Sequence, residues 1–317
     1  MLYQFGFLTA ICWLSTSPLA LAADKPPDPK DIVVLHDLCY REGTSKQWRL
    51  DLAMKKDLRG KPRPGIVVIH GGGWIEGDKS SFASRKHGVP GNIEDFAELG
   101  FVAAAISYRL SGEAAFPAAL EDCKCAVRWL RAHAKEYNLD PEHIGAYGNS
   151  AGGHLAMLLG MASKEQGLEK EMPHSGHSSQ VQAVASDSGP IDLLYQYEQG
   201  TLRKVAGQFL GGPPEGARVD LYKKASPLHQ ITPRTPPMLL IYGVSDSQVP
   251  VETADQFVLA LGKAGLKDLS YHRLAFVDHC PHSLVRIPAL KHAVNEFFLR
   301  TLMHHETAQQ IKRRTDP

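Results

Sequence analysis

Short apolar runs alternate with helical periodicity along most of the chain. "DIVVLHDLCY" (31–40) and "WRLDLAMKK" (48–56) read as two strands opening an antiparallel pair. "RPGIVVIHGGGW" (63–74) is apolar throughout and bounded by Pro-Gly and a glycine cluster, the pattern of a buried parallel strand. "IEDFAELGFVAAAISYRL" (93–110) predicts a helix, a glycine stop and a second buried strand. "FPAALEDCKCAVRWLRAHAKEYNLDPEHI" (116–144) predicts a long helix, with Pro117 near its start and Asn138 and Pro141 past its end. "HIGAYGNSAGGHLAMLLGMAS" (143–163) is strand, turn and helix. "VQAVASDSGPIDL", "PPMLLIYGVSDSQVP" and "LSYHRLAFVDH" add three strand-like runs. An amphipathic helix ending at Gly265 separates the last two, and "AVNEFFLRTLMHH" (293–305) makes the final helix. Strands alternating with helices imply a mostly parallel sheet covered on both faces. Two polar segments, 164–179 and 195–231, are too long for plain connections and are candidate substrate-shaping loops or a small lid.

The first 22 residues stand apart. An apolar run from Phe5 to Leu14 is followed by Pro18 and by small residues at Ala20 and Ala22, the spacing of a signal-peptidase site. Cleavage is expected after Ala22, leaving residues 23–317 as a single exported domain. The run is short for a bilayer span, and Ile11 before Cys12 is too bulky for lipoprotein processing, so no stable membrane insertion is expected.

With 317 residues and 43% hydrophobic positions the chain can bury a large core, and a formal charge of +1 argues against a nucleic-acid partner. "KRR" at 312–314 reads as a solvated tail. Cys39, Cys123, Cys125 and Cys280 are scattered and make no disulfide framework, so they are expected as buried thiols. "CKC" on a helix sends its thiols to different faces, and "HSGH" (174–177) reads as a polar loop. No metal and no cofactor is expected.

The chemistry begins with "GNSAG" (148–152). A serine at a sharp strand-to-helix turn projects its hydroxyl outward, and the turn closes only if the residues two positions away are small, as Gly148 and Gly152 are. The helix that follows aims its first N–H groups, including that of Ala151, at negative charge forming beside Ser150. Upstream, "HGGGW" (70–74) leaves the backbone of Gly72 and Gly73 bare, so with Ala151 they are candidate oxyanion donors. His70 reads as a structural hydrogen-bonder behind that loop and Trp74 as its packing. A serine nucleophile needs a base, and the base an orienting carboxylate. Asp246, on the loop past "LLIYG", is the expected acid, with Asp187 and Asp192 as alternatives. "VDHCPHSLV" offers two histidines. His279 lies closer to the strand end, whereas "HSL" suits a histidine projecting from a loop into a helix. His282 is taken as the base and His279 as the runner-up.

In their order, "HGGGW", "SYRLSGEAAFPAALEDCKCAVRWLRAHA", "GNSAGGHLA", "YGVSDSQVP" and a late histidine resemble the α/β-hydrolase esterases, over roughly Asp31 to Leu302. The likeness is greatest to exported carbohydrate esterases of the bifunctional feruloyl and acetyl-xylan esterase type, near the hormone-sensitive-lipase-like carboxylesterases. The resemblance implies an α/β-hydrolase fold: a mostly parallel eight-stranded sheet, helices on both faces and small lid-like insertions. It also implies Ser150, Asp246 and His282 as a triad, with Gly72, Gly73 and Ala151 as oxyanion donors. Two departures stand out: Asn149 where the lipase-like branch has Asp, and "DHCPHSL" in place of a "GHGF"-like ending. Arg109 with Glu121 and Asp122 reads as a scaffold ion pair. The activity so implied is hydrolysis of small-molecule or polysaccharide esters, acetyl or feruloyl. The alternatives are a related amide hydrolase, peptidase or arylformamidase-like, and an inactive binding protein on the same fold. Oligomeric state is left open.

Overall fold

A computed structural model describes residues 31–162, 168 and 172–303. The expected signal segment, the tail at 312–314 and part of the polar stretch 164–179 lie outside the described residues. The chain builds β1 (Ile32–Cys39), β2 (Arg49–Lys55), β3 (Arg63–Ile69), α1 (Ile93–Glu98), β4 (Val102–Ile106), α2 (Ala118–Ala132), β5 (Leu139–Asn149) and α3 (Ala151–Met161). It continues with β6 (Ala183–Asp187), α4 (Leu193–Gln199), α5 (Arg203–Phe209), α6 (Arg218–Lys224), β7 (Met238–Gly243), α7 (Val251–Lys263), β8 (Leu269–Leu274) and α8 (Pro288–Phe298).

The strands form one eight-stranded sheet in the order β1-β2-β4-β3-β5-β6-β7-β8. β2 runs antiparallel to β1 and β4, and every other pairing is parallel. The central strands read as unbroken apolar runs because both of their faces are covered. In β3, Val67 and Ile69 face a core shared with α2, α3 and α7, while Ile66 and Val68 face a second core with α1 and α8. On α7 the buried positions Val251, Ala254, Phe257 and Leu261 fall at helical spacing, as do Leu290, Val294 and Phe297 on α8. α8 starts earlier than its periodicity suggested: Pro288, tolerated in the first turn, opens it. The long polar stretch 195–231 is built into α4, α5, α6 and a short 3₁₀ turn at Pro227–Gln230.

The scaffold reading of Arg109 holds in the geometry. Asp122, fully buried on α2, accepts bonds from Arg109 Nε at 2.8 Å, Arg41 Nη1 at 3.0 Å and Trp48 Nε1 at 3.1 Å. This ties the β1–β2 connection and the loop after β4 to α2. The cysteine expectation needs one correction. Cys123, Cys125 and Cys280 are buried free thiols, but Cys39 is exposed, because it ends β1, the edge strand of the sheet.

Parallel order sends the loops after β3, β5, β6, β7 and β8 to one edge of the sheet, where open α/β sheets gather their ligands. "HGGGW", Ser150, Asp187, Asp246 and both late histidines all sit there.

Candidate active site

Ser150 occupies the turn between β5 and α3 with φ 50° and ψ −124°, a strained left-handed conformation for a residue with a side chain. The turn survives because its neighbours lack bulk. A Cβ on Gly152 would overlap the carbonyl oxygen of Ile69, and one on Gly148 the carbonyl of Gly152. The Ser150 N–H is held by the Asp187 carbonyl at 2.8 Å.

His279, five residues past β8, places Nε2 2.9 Å from Ser150 Oγ. Its Nδ1 lies 2.7 Å from Asp246 Oδ2. The Asp246 side chain is fully buried, and its other oxygen accepts the N–H groups of Gln248 at 2.9 Å and Val249 at 2.8 Å. A carboxylate on Nδ1 fixes the proton there and leaves Nε2 as an acceptor facing the serine hydroxyl. Three side chains from three loops thus make one relay, Asp246 to His279 to Ser150.

The relay corrects the choice of histidine. His282 is buried beneath the turn, its Nδ1 2.7 Å from the Tyr147 hydroxyl and its ring edge-on to that tyrosine. Burial lowers it to about 4, so it stays a neutral core group. Its Nε2 is buried and has no hydrogen-bond partner among the described residues. The loop turns sharply at Cys280 (φ 54°), so His279 emerges towards the serine while Cys280 to Ser283 fold inward. Proximity to the strand end was the informative signal, and the "HSL" pattern marked a buried support. The alternative acids also part company. Asp192 caps α4 through the Tyr195 N–H, and Asp187 bonds residues 282 and 283.

Ser150 and His279 open into a cavity of about 730 Å³. The "HGGGW" loop forms one wall, shaped by Gly72, whose φ of 101° and closeness to the Glu76 carbonyl bar a side chain. Among the described residues no intramolecular acceptor takes the N–H of Gly72, Gly73 or Ala151. All three residues line the cavity beside Ser150. His70 backs the loop: it is buried, donates Nδ1–H to the Gly71 carbonyl at 2.7 Å and stacks on Tyr108 at 4.3 Å. Burial lowers it to about 4. Trp74 is buried and stacks on Phe209 of α5 at 4.4 Å, so it packs the loop, and it is also among the residues lining the cavity. His154 on α3, which the sequence reading passed over, donates Nε2–H to the Ala225 carbonyl at 2.6 Å and fastens the insertion to the serine-bearing helix. From that insertion Leu202 and Val205 reach the cavity.

A family model described as BD-FAE matches residues 50–261, which contain Ser150, Asp246 and the glycine loop. The chain belongs to the BD-FAE family. It is 31% identical over 281 residues to the probable carboxylic ester hydrolase LipM of Mycobacterium tuberculosis, covering 86% of this chain and 63% of LipM. It is 29% identical to the esterase LipC of the same organism, over 73% of this chain and 56% of LipC. This BD-FAE member therefore spans somewhat over half the length of these curated relatives.

Among solved structures, a bifunctional GH43-CE protein of Bacteroides eggerthii superposes with a TM-score of 0.73 at 28% identity, over 84% of this chain and 38% of that one. The propionate-bound esterase Est2 of Thermogutta terrifontis superposes with a TM-score of 0.63 at 31% identity, over 85% and 92%. The BD-FAE chain therefore has the α/β-hydrolase fold of these esterases. Among the described residues no helix is long and apolar enough to cross a membrane, and no cluster of His, Cys, Asp and Glu is arranged to hold a metal ion.

Proposed function

We propose that this BD-FAE chain is a serine carboxylic ester hydrolase. The observation that carries the reading is the relay itself, with 2.9 Å from Ser150 Oγ to His279 Nε2 and 2.7 Å from His279 Nδ1 to Asp246, opening on a cavity. As Ser150 Oγ bonds to the ester carbonyl carbon, its proton passes to His279 Nε2, and Asp246 stabilises the imidazolium that forms. The carbonyl oxygen takes up the negative charge and accepts hydrogen bonds from Ala151 and from Gly72 and Gly73, whose N–H groups are unclaimed. His279 then protonates the leaving alkoxide, the acyl group stays on Ser150, and a water activated by the same imidazole releases the acid.

The substrate we infer is an acetyl or feruloyl ester of a carbohydrate, met outside the cytoplasm after removal of residues 1–22. Resemblance of the motifs to carbohydrate esterases and the likeness to a GH43-CE chain support it. So does the cavity, where Glu76 is the single carboxylate or cationic chain among the described lining residues apart from His279, which suits a neutral ester.

The test is Ser150→Ala assayed on 4-nitrophenyl acetate and on acetylated and feruloylated xylo-oligosaccharides, with anilide analogues alongside. Loss of about 10⁶ in kcat is expected if the triad acts as a unit. Undiminished ester turnover by the variant sinks the reading, and preference for the anilides sinks the ester assignment.

A further inference from the structure

The tip of β6 carries a carboxyl group the mechanism does not use. Asp187 is fully buried, and its carboxyl is bonded by neutral donors of His282 and Ser283. Burying a carboxyl is costly, so its hydrogen bonds must be informative. Oδ2 accepts from the Ser283 N–H at 2.9 Å and the Ser283 hydroxyl at 2.8 Å, and Oδ1 takes a longer bond from the His282 N–H at 3.4 Å. The main-chain carbonyl of the same residue holds the Ser150 N–H at 2.8 Å. Next to it, Ser188 Oγ accepts the Cys280 N–H at 3.0 Å, and Asn149, paired with Asp187 in the sheet, donates Nδ2–H to Ser283 Oγ at 3.1 Å.

One pair of residues therefore grips both sides of the reacting pair. Through its backbone it holds the residue that bears the hydroxyl. Through its side chains it holds the peptide N–H groups at 280, 282 and 283, directly after His279. Asp246 fixes the imidazole's tautomer and plane, but nothing in that contact sets how far the loop stands from the β5–α3 turn.

We propose that Asp187, assisted by Ser188, is a positioning clamp that sets the separation of His279 Nε2 from Ser150 Oγ. The inference rests on the ester-hydrolase reading of that site. An ionised carboxylate offers acceptors only, which matches the three donors aimed at it; an amide in its place turns one donor against a donor. Burial raises the Asp187 carboxyl to about 6, so it is ionised in assays run above about pH 7. A loop that drifts by about 1 Å loses on the order of 10²-fold in rate, since proton transfer depends steeply on the approach of the two atoms.

The test compares Asp187→Asn with the milder Ser188→Ala and Ser283→Ala, which remove one partner each and keep the backbone. Sites are counted by complete titration with a fluorophosphonate, and kcat and KM for 4-nitrophenyl acetate are expressed per titrated site. The expected result is a fall in kcat of about 10- to 100-fold for Asp187→Asn and a smaller fall for each serine variant. KM should stay within about twofold of wild type, and phosphonylation of Ser150 should slow by the same factor as kcat. A purely structural role predicts a lower melting temperature and fewer titratable sites with kcat per site unchanged; that outcome in any of the three variants that fold overturns the proposal. Failure of the underlying reading is distinguishable, because it would appear as ester turnover retained by Ser150→Ala with Asp187, Ser188 and Ser283 all intact.

Discussion

Two histidines three residues apart provide the sharpest test, because the structure gives them opposite duties. Replacing His279 by Ala removes the only acceptor that the described structure places beside Ser150 Oγ, at 2.9 Å. For a triad acting as a unit the expected loss in kcat is about 10⁶, or roughly 8 kcal/mol of transition-state stabilisation at 1.36 kcal/mol per decade. The variant should still fold but with some loss of stability, since that side chain is nine-tenths buried and its removal leaves the fully buried Asp246 Oδ2 without its imidazole partner. Replacing His282 by Ala is the reverse experiment. It opens a cavity beneath the turn and leaves the Tyr147 hydroxyl, now 2.7 Å from His282 Nδ1, buried without that partner. Lost packing and one lost hydrogen bond of a buried hydroxyl together cost about 2–4 kcal/mol of stability. For a domain of this size that corresponds to a melting temperature lower by roughly 3–7 °C. The main-chain N–H of residue 282 survives, so kcat per folded molecule should stay within about tenfold of wild type. Circular dichroism melts and turnover of 4-nitrophenyl acetate on the two purified variants decide the matter. A folded His282→Ala protein as inert as Ser150→Ala, or a His279→Ala protein retaining a hundredth of wild-type turnover, refutes the assignment.

Acid should destabilise the protein through its buried imidazoles. His70, His154 and His282 are each lowered to about 4 by burial, so their contribution is full above the unfolded value near 6.5 and drains as pH falls towards 4. Each is worth up to ~3 kcal/mol over that window. Asp187, raised to about 6, acts the other way: its contribution is present below its unfolded value and lost as pH rises through 6, so it offsets one histidine. Urea midpoints at pH 7 and pH 4.5 should differ clearly, and equal midpoints contradict the neutral burial of these rings. Gly152→Ala forces a Cβ into the Ile69 carbonyl oxygen, so the variant should lose several kcal/mol or fail to fold; a wild-type melt would contradict the close approach at the turn.

Local pattern alone determined much of this molecule. Unbroken apolar runs such as "VAAAI" and "LLIYG" mark strands covered on both faces, and their alternation with amphipathic helices leaves a mostly parallel sheet as the way to bury them. The serine turn was legible too, because a left-handed, side-chain-bearing residue flanked by carbonyls tolerates only glycine two positions away, and that requirement is written in adjacent letters. Asp246 followed from its place just past a buried strand. The choice between His279 and His282 was not local. Both are loop histidines after the same strand, and what separates them is a positive φ at Cys280 and the pull of Asp187 and Tyr147, contributed by β6 and β5 roughly a hundred or more residues earlier. Asp187 itself looked like a spare acid for the same reason. A side chain's neighbours across the sheet are set by strand order, and strand order is fixed by the packing of the whole domain, so residues distant in sequence decided which imidazole met the serine.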